Sequence, residues 1–143
     1  MEQTIYSNEF LAQTGKPYFT IEVRRDEDFI RVSWVGFINE EKAKKGLVEE
    51  TDVIQKTGIK KVLVDNRGQT GPFPKEIGEF MIQEIIPRLE TMGSIRVGQI
   101  LSENVFTEFS AKNMENDQEI NDKQVMNIAN FPDEVTAINW LNG

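Results

Sequence analysis

One stretch, Lys61 to Pro74 (KVLVDNRGQTGPFP), limits the possible folds more than any other part of the chain. Val62, Leu63 and Val64 form an unbroken aliphatic run, the pattern of a strand covered on both faces rather than one with a wet side. Asp65, Asn66, Arg67 and Gly68 then read as a polar, glycine-bearing loop that ends the strand. Pro74 suits the first turn of a following helix, where its missing N–H costs nothing. A strand buried on both sides needs helices above and below it, so this stretch places the chain among α/β proteins.

The flanking sequence fills in that architecture. Over residues 18–24 the apolar Phe19, Ile21 and Val23 alternate with Thr20, Glu22 and Arg24, and the alternation resumes over residues 29–37 through Ile30, Val32 and Trp34. With the charged turn 25–28 between them, the two runs predict an antiparallel hairpin. Residues 1–17 fit either an extra edge strand or an arm docked on the sheet. Asn39 and Gly58 bracket a helix as N-cap and C-terminal stop, with Ala43, Leu47, Thr51 and Ile54 as its apolar stripe. The adjacent carboxylates Glu40/Glu41 and Glu49/Glu50 point in different directions on a helix and read as surface charge.

The next helix, from Pro74 toward Leu89, is apolar over an unusually wide arc. Ile77, Phe80, Met81, Ile82, Ile85, Ile86 and Leu89 sweep roughly 240° at about 100° per residue, more than one-sided packing needs. Glu84 and Arg88 are spaced to pair, and Pro87 should kink or end the helix. Residues 94–101 predict a strand in which Gly98 marks a close approach or a bulge. A helix is expected over residues 104–116, a polar loop over 115–123, a short strand over 125–131 and a terminal helix opened by Pro132, Asp133 and Glu134. The expectation is a single domain spanning residues 1–143: a mixed sheet that starts with an antiparallel hairpin, continues with alternating β and α elements, and is packed by about four helices.

Composition removes several function classes. The 143 residues include neither cysteine nor histidine, so thiol chemistry, thiolate zinc sites and histidine-based acid–base or triad catalysis are unavailable. A net charge of -8 with no basic stripe argues against nucleic acid. No apolar run approaches the ~20 residues of a membrane span, and the N-terminus has no signal-peptide pattern, so a cytoplasmic location is expected. The acidic and amide-rich stretch 115–122 lacks the glycine and terminal glutamate of a calcium loop, and neither a metal nor a cofactor is expected.

The strand-to-loop run VLVDNRG at Val62 to Gly68 and the ending NIANFPDEVTAINWL at Asn127 to Leu141 resemble the SpoIIAA-like, or STAS, domains (sulfate transporter and anti-sigma-factor antagonist). These in turn are structurally related to the CRAL-TRIO lipid carriers. The resemblance runs from about Tyr18 to Leu141. It implies a SpoIIAA-like fold and a regulatory domain that acts through protein contacts. The family's antagonists carry a phosphorylatable serine in an Asp-Ser-x-Gly context; here Asp65 is followed by Asn66, Arg67 and Gly68, and Thr70 is the only hydroxyl in the loop.

Two candidate sites follow. Asp65, Asn66, Arg67, Gly68 and Thr70 lie at the carboxyl end of a central strand, where open α/β sheets take ligands or partners. The plainer alternative is that Asp65 caps the turn and Arg67 pairs with a nearby carboxylate. Phe73, Phe80, Ile82 and Ile86 mark the wide apolar helix face, which would be core, a homodimer seam or the wall of an apolar pocket. The expected function is a non-enzymatic regulatory domain with a protein partner or a second copy, the alternative being a carrier or sensor for an apolar small molecule or lipid.

Overall fold

The computed structural model describes residues 4–101 and 125–143. The helix expected over 104–116 and the loop over 115–123 lie outside the described residues. Six strands form one sheet whose spatial order is the chain order. Strand β2 (Pro17–Arg24) runs antiparallel to both of its neighbours, β1 (Thr4–Leu11) and β3 (Ile30–Gly36), whereas β4 (Lys61–Gln69), β5 (Ile95–Ile100) and β6 (Met126–Phe131) are parallel to β3. The mixed sheet with an antiparallel start is therefore as the sequence predicts. Residues 4–11 settle as the edge strand.

Helix α1 (Glu40–Thr57) carries the chain from β3 to β4. The Asn39 side chain accepts a hydrogen bond from the Lys42 N–H, and Gly58 ends the helix at φ 73°, where a residue with a Cβ would be strained. The buried face of α1 is wider than the predicted stripe. It takes in Gly46, Glu50 and Val53 as well as Ala43, Leu47, Thr51 and Ile54. Gly46 allows this close seat: a Cβ there would overlap the Trp34 indole and stand 2.9 Å from the Phe19 ring. Glu50 corrects the surface-charge reading, because its spacing of four from Gly46 turns it under the helix, where it is 5% exposed.

The connection from β4 to β5 is one composite helix over residues 76–92. It comprises α2 (Glu76–Phe80), a π-helical turn (Met81–Ile85), α3 (Ile86–Leu89) and a 3₁₀ turn (Glu90–Met92). Pro87 does not end it. In a straight α-helix the Pro87 ring would meet the carbonyl four residues back; the wide turn just before it, closed by Ile86 N–H to Met81 C=O, removes that clash. Arg88 pairs with Asp52 of α1 at 2.6 Å rather than with Glu84.

Helices α1 and 76–92 cover one face of the sheet, burying Val23, Ile30, Val32, Val62, Val64 and Val97 beneath them. Aromatic contacts run across this layer: Phe10 to Phe19 at 5.4 Å, Phe19 to Trp34 at 4.7 Å and Trp34 to Phe73 at 5.0 Å between centroids. On the other face, helix α4 (Glu134–Asn142) lies on Phe29, Leu63 and Ile100 through Ala137 and Leu141. Gly98 lets α4 come close, its missing Cβ lying 3.6 Å from the Ala137 carbonyl oxygen. Val62, Leu63 and Val64 are accordingly buried from both sides, at 0%, 2% and 4% exposure.

Candidate functional site

The predicted loop at Asp65 is not a loop. Strand β4 continues to Gln69, and Gly68 and Gln69 pair with Val35 and Gly36 of β3. Between the pairs Ser33↔Asp65 and Val35↔Gly68, β3 advances two residues and β4 three. The surplus residue is a β-bulge, which bends the strand instead of ending it. Residues with loop propensity are thus held by a neighbouring strand.

The bulge is tied by its own charges. Asp65 Oδ1 accepts hydrogen bonds from the Arg67 backbone N–H and Nε, both at 3.0 Å, and Oδ2 accepts from Nη2 at 2.8 Å. Those bonds outweigh partial burial and hold the Asp65 carboxyl below the usual range. The local pairing weighed from the sequence is what the structure contains. Asn66 and Gln69 keep side-chain oxygens buried with no hydrogen-bond partner among the described residues, as does Asn130 on β6. Thr70 is exposed, and its backbone N–H donates to the Gly36 carbonyl at 2.9 Å.

Beside this tip stand two apolar side chains not singled out from the sequence. Val35 is 50% exposed and Phe37 is 68% exposed. Both stand in the odd-numbered phase of β3, with Arg31 and Ser33, on the side opposite to the buried Ile30, Val32 and Trp34; Phe37 follows Gly36, the last residue of the strand. Apolar residues at two consecutive positions of the wet phase are the sequence signal for this patch.

The wide helical face is largely occupied. Ile86 is 1% exposed and joins Ile77, Met81, Ile85 and Leu89 in the core; Phe73, Phe80 and Ile82 are partly buried against it. The π-helical turn explains the width of the arc, because one extra residue per turn brings positions into the core that a regular 3.6-residue repeat would point elsewhere.

The opposite face holds a cleft of about 180 Å³ between the sheet and the start of α4. Two cross-strand rows form its floor. Thr20, Ser33, Asp65 and Ile100 are successive partners across β2 to β5, and Glu22, Arg31 and Leu63 lie in the row beside them. Glu134 of α4 closes one side. It is set there by Asp133, whose carboxylate caps the helix by accepting from the Thr136 N–H at 2.8 Å and hydroxyl at 2.6 Å. The cleft is the wet face of the predicted hairpin, roofed at one end.

Its charges are linked in pairs. Arg31 donates to Glu27 from Nε at 2.8 Å and from Nη2 at 2.6 Å, and to Glu134 from Nη1 at 2.6 Å. The Glu27 bonds foremost, then those of Glu134, hold the guanidinium firmly protonated. Burial raises the Glu22 carboxyl, but hydrogen bonds from Thr4 and Arg24, with the charges of Arg24 and Arg31, bring it below the usual range. Of the sequence-predicted residues only Asp65 lines this cleft.

No family model matches the chain, and no curated protein does. Among solved structures the chain is similar to an uncharacterised protein from the DUF3478 family with a SpoIIAA-like fold, from Shewanella loihica PV-4. The match has 18% sequence identity and a TM-score of 0.45, and covers 86% of this chain and 91% of that one. Among the described residues no helix is long and apolar enough to cross a membrane.

Proposed function

We propose that this chain is a non-catalytic regulatory domain that docks a protein partner on the carboxyl ends of β3 and β4. The observation that carries this reading is the exposure of Val35 and Phe37, 50% and 68%, beside Gly68 and Thr70. Two large apolar side chains held in water at a rigid strand end gain on being covered, at roughly 25 cal/mol per Å² of apolar area. Asp65 and Arg67, the residues best placed for chemistry at that tip, are engaged with each other. This favours a recognition surface over a reactive one. An apolar carrier draws no support from the 76–92 face, which is filled by the protein's own core.

The test is photo-crosslinking in cells from a probe residue at position 37, with a second probe at Val48 of α1, which is 37% exposed, as the control. The reading expects one protein captured from position 37, absent from position 48, and lost when Val35 is changed to Thr. Capture of a second copy of this chain alone would replace the partner by a homodimer. Equal capture from both positions would overturn the docking surface.

A further inference from the structure

We propose that β1 pairs, antiparallel and about a two-fold axis at Asn8, with β1 of a second copy of this chain, which joins two six-stranded sheets into one. β1 begins the strand order and pairs only with β2 among the described residues. Folded proteins commonly guard such an edge with lysine, proline or an inward-pointing charge. TIYSNEFL has neither lysine nor proline, and its one charge, Glu9, is exposed. Ile5 and Leu11 stand 60% and 56% exposed near its two ends. The outer side of the strand also shows an N–H without a strand partner: that of Glu9 donates to the Asn8 side chain at 2.9 Å. Backbone groups point to alternate sides along an antiparallel strand, so Ser7 and Glu9 both present theirs outward, while those of Asn8 face β2.

The sequence of β1 points to a second copy as the occupant, because it is self-complementary about Asn8. An axis there sets Ile5 against Leu11, Tyr6 against Phe10 and Ser7 against Glu9, each pair occurring twice, with Asn8 opposite its own copy. Apolar meets apolar, aromatic meets aromatic, and the carboxylate meets a hydroxyl. Facing side chains share one side of the sheet only if the axis passes through a residue. Moving it to Ser7 sets Ile5 against Glu9, and moving it to Glu9 opposes two carboxylates and sets Phe10 against Asn8. The axis at Asn8 also makes Ser7 and Glu9 the pairs that exchange backbone hydrogen bonds, so the outward N–H of Glu9 gains a carbonyl. The regular part of the pairing with β2, Tyr6 to Phe10, is centred on Asn8 too, with a register shift beyond each end. The second copy thus belongs at the sheet edge rather than on the 76–92 face, which the core fills. The proposal does not rest on the protein-docking reading, since Val35 and Phe37 stand at the end of β3, two strands away.

The experiment is sedimentation velocity on the purified chain from about 5 to 500 μM, in about 0.15 M salt to screen the repulsion between two chains of charge -8. A concentration-dependent dimer is expected, with nothing larger, because a two-fold contact uses up the edge that forms it. Ile5→Lys or Leu11→Glu alone should weaken the dimer about tenfold, and the two together should restore it. On one strand these positions are six residues, about 20 Å, apart, so the restoring ion pair can form only between copies. Both side chains are exposed, so the variants should melt as the parent does. The chain has no cysteine, which permits a second measurement. Asn8→Cys should give a disulfide-linked dimer on mild oxidation, because directly opposed residues that exchange no hydrogen bonds lie about 4.5 Å apart between Cα atoms. Gln13→Cys, in the turn after β1, should not. A monomer throughout, a double variant as weak as the single ones, or Asn8→Cys that stays reduced would overturn the proposal. So would Asn8→Cys that cross-links in lysate to other proteins and never to its own copy.

Discussion

Glu50 is the residue whose position has the largest consequence for stability. It sits beneath α1 at 5% exposure, and burial raises its carboxyl to about 7 from an ordinary 4.5. Since the folded value is above the unfolded one, the folded state binds more protons between those values, and stability falls as pH rises through that window. A shift of this size amounts to about 3 kcal/mol, fully lost above about pH 7.5. Urea unfolding at pH 5 and pH 8 should show this loss in the parent and a much smaller one in Glu50→Gln. Equal losses in both proteins would mean that Glu50 is ionised and solvated in the folded state. The sequence places Glu50 on α1 but gives no sign of its burial, because a charge at the margin of an amphipathic stripe looks like a solvated one. Gly46, four residues earlier, lets the helix sit low enough to enclose it. Asp65 shows the opposite case: its partner Arg67 is two residues away, so that contact was legible.

At the scale of elements, the caps and the strongest strands could be read directly, whereas features set by pairing partners could not. Asn39, Gly58 and the Val62–Leu63–Val64 run act locally, and the structure has them where the pattern put them. The extension of β4 through Gly68 depends on Val35 and Gly36 of another strand. The cleft depends on a register across four strands together with α4, so neither feature has a local signature. The composite helix lies between these cases: its apolar breadth was visible, but the π-helical turn that produces it was not. If that turn is a single inserted residue that accommodates Pro87, then deleting the exposed Gln83 together with Pro87→Ala should leave both flanking helical faces in phase. Chemical unfolding should remain cooperative, with a stability change within about 2 kcal/mol. Loss of the cooperative transition would show that the wide turn is required by the packing on both sides of it.

For the whole molecule, β1 is the element that separates a finished sheet from an open one. It carries the exposed Ile5 and Leu11 outward, adds Phe10 to the aromatic layer, and ties itself to α1 where Tyr6 and Asn8 donate to Glu49. Without residues 1–12, β2 becomes an edge, with Phe19 stripped of its Phe10 neighbour and no lysine along the strand to discourage pairing. The truncated protein is expected to melt cooperatively at a lower temperature and to associate as concentration rises, which calorimetry and light scattering would detect. An unchanged midpoint with no scattering would reduce β1 to an ornament of the fold. The order of the strands has a further outcome during synthesis. Each strand from β2 onward docks beside one that has already left the ribosome, so the sheet can be laid down vectorially, with β6 and α4 completing it last.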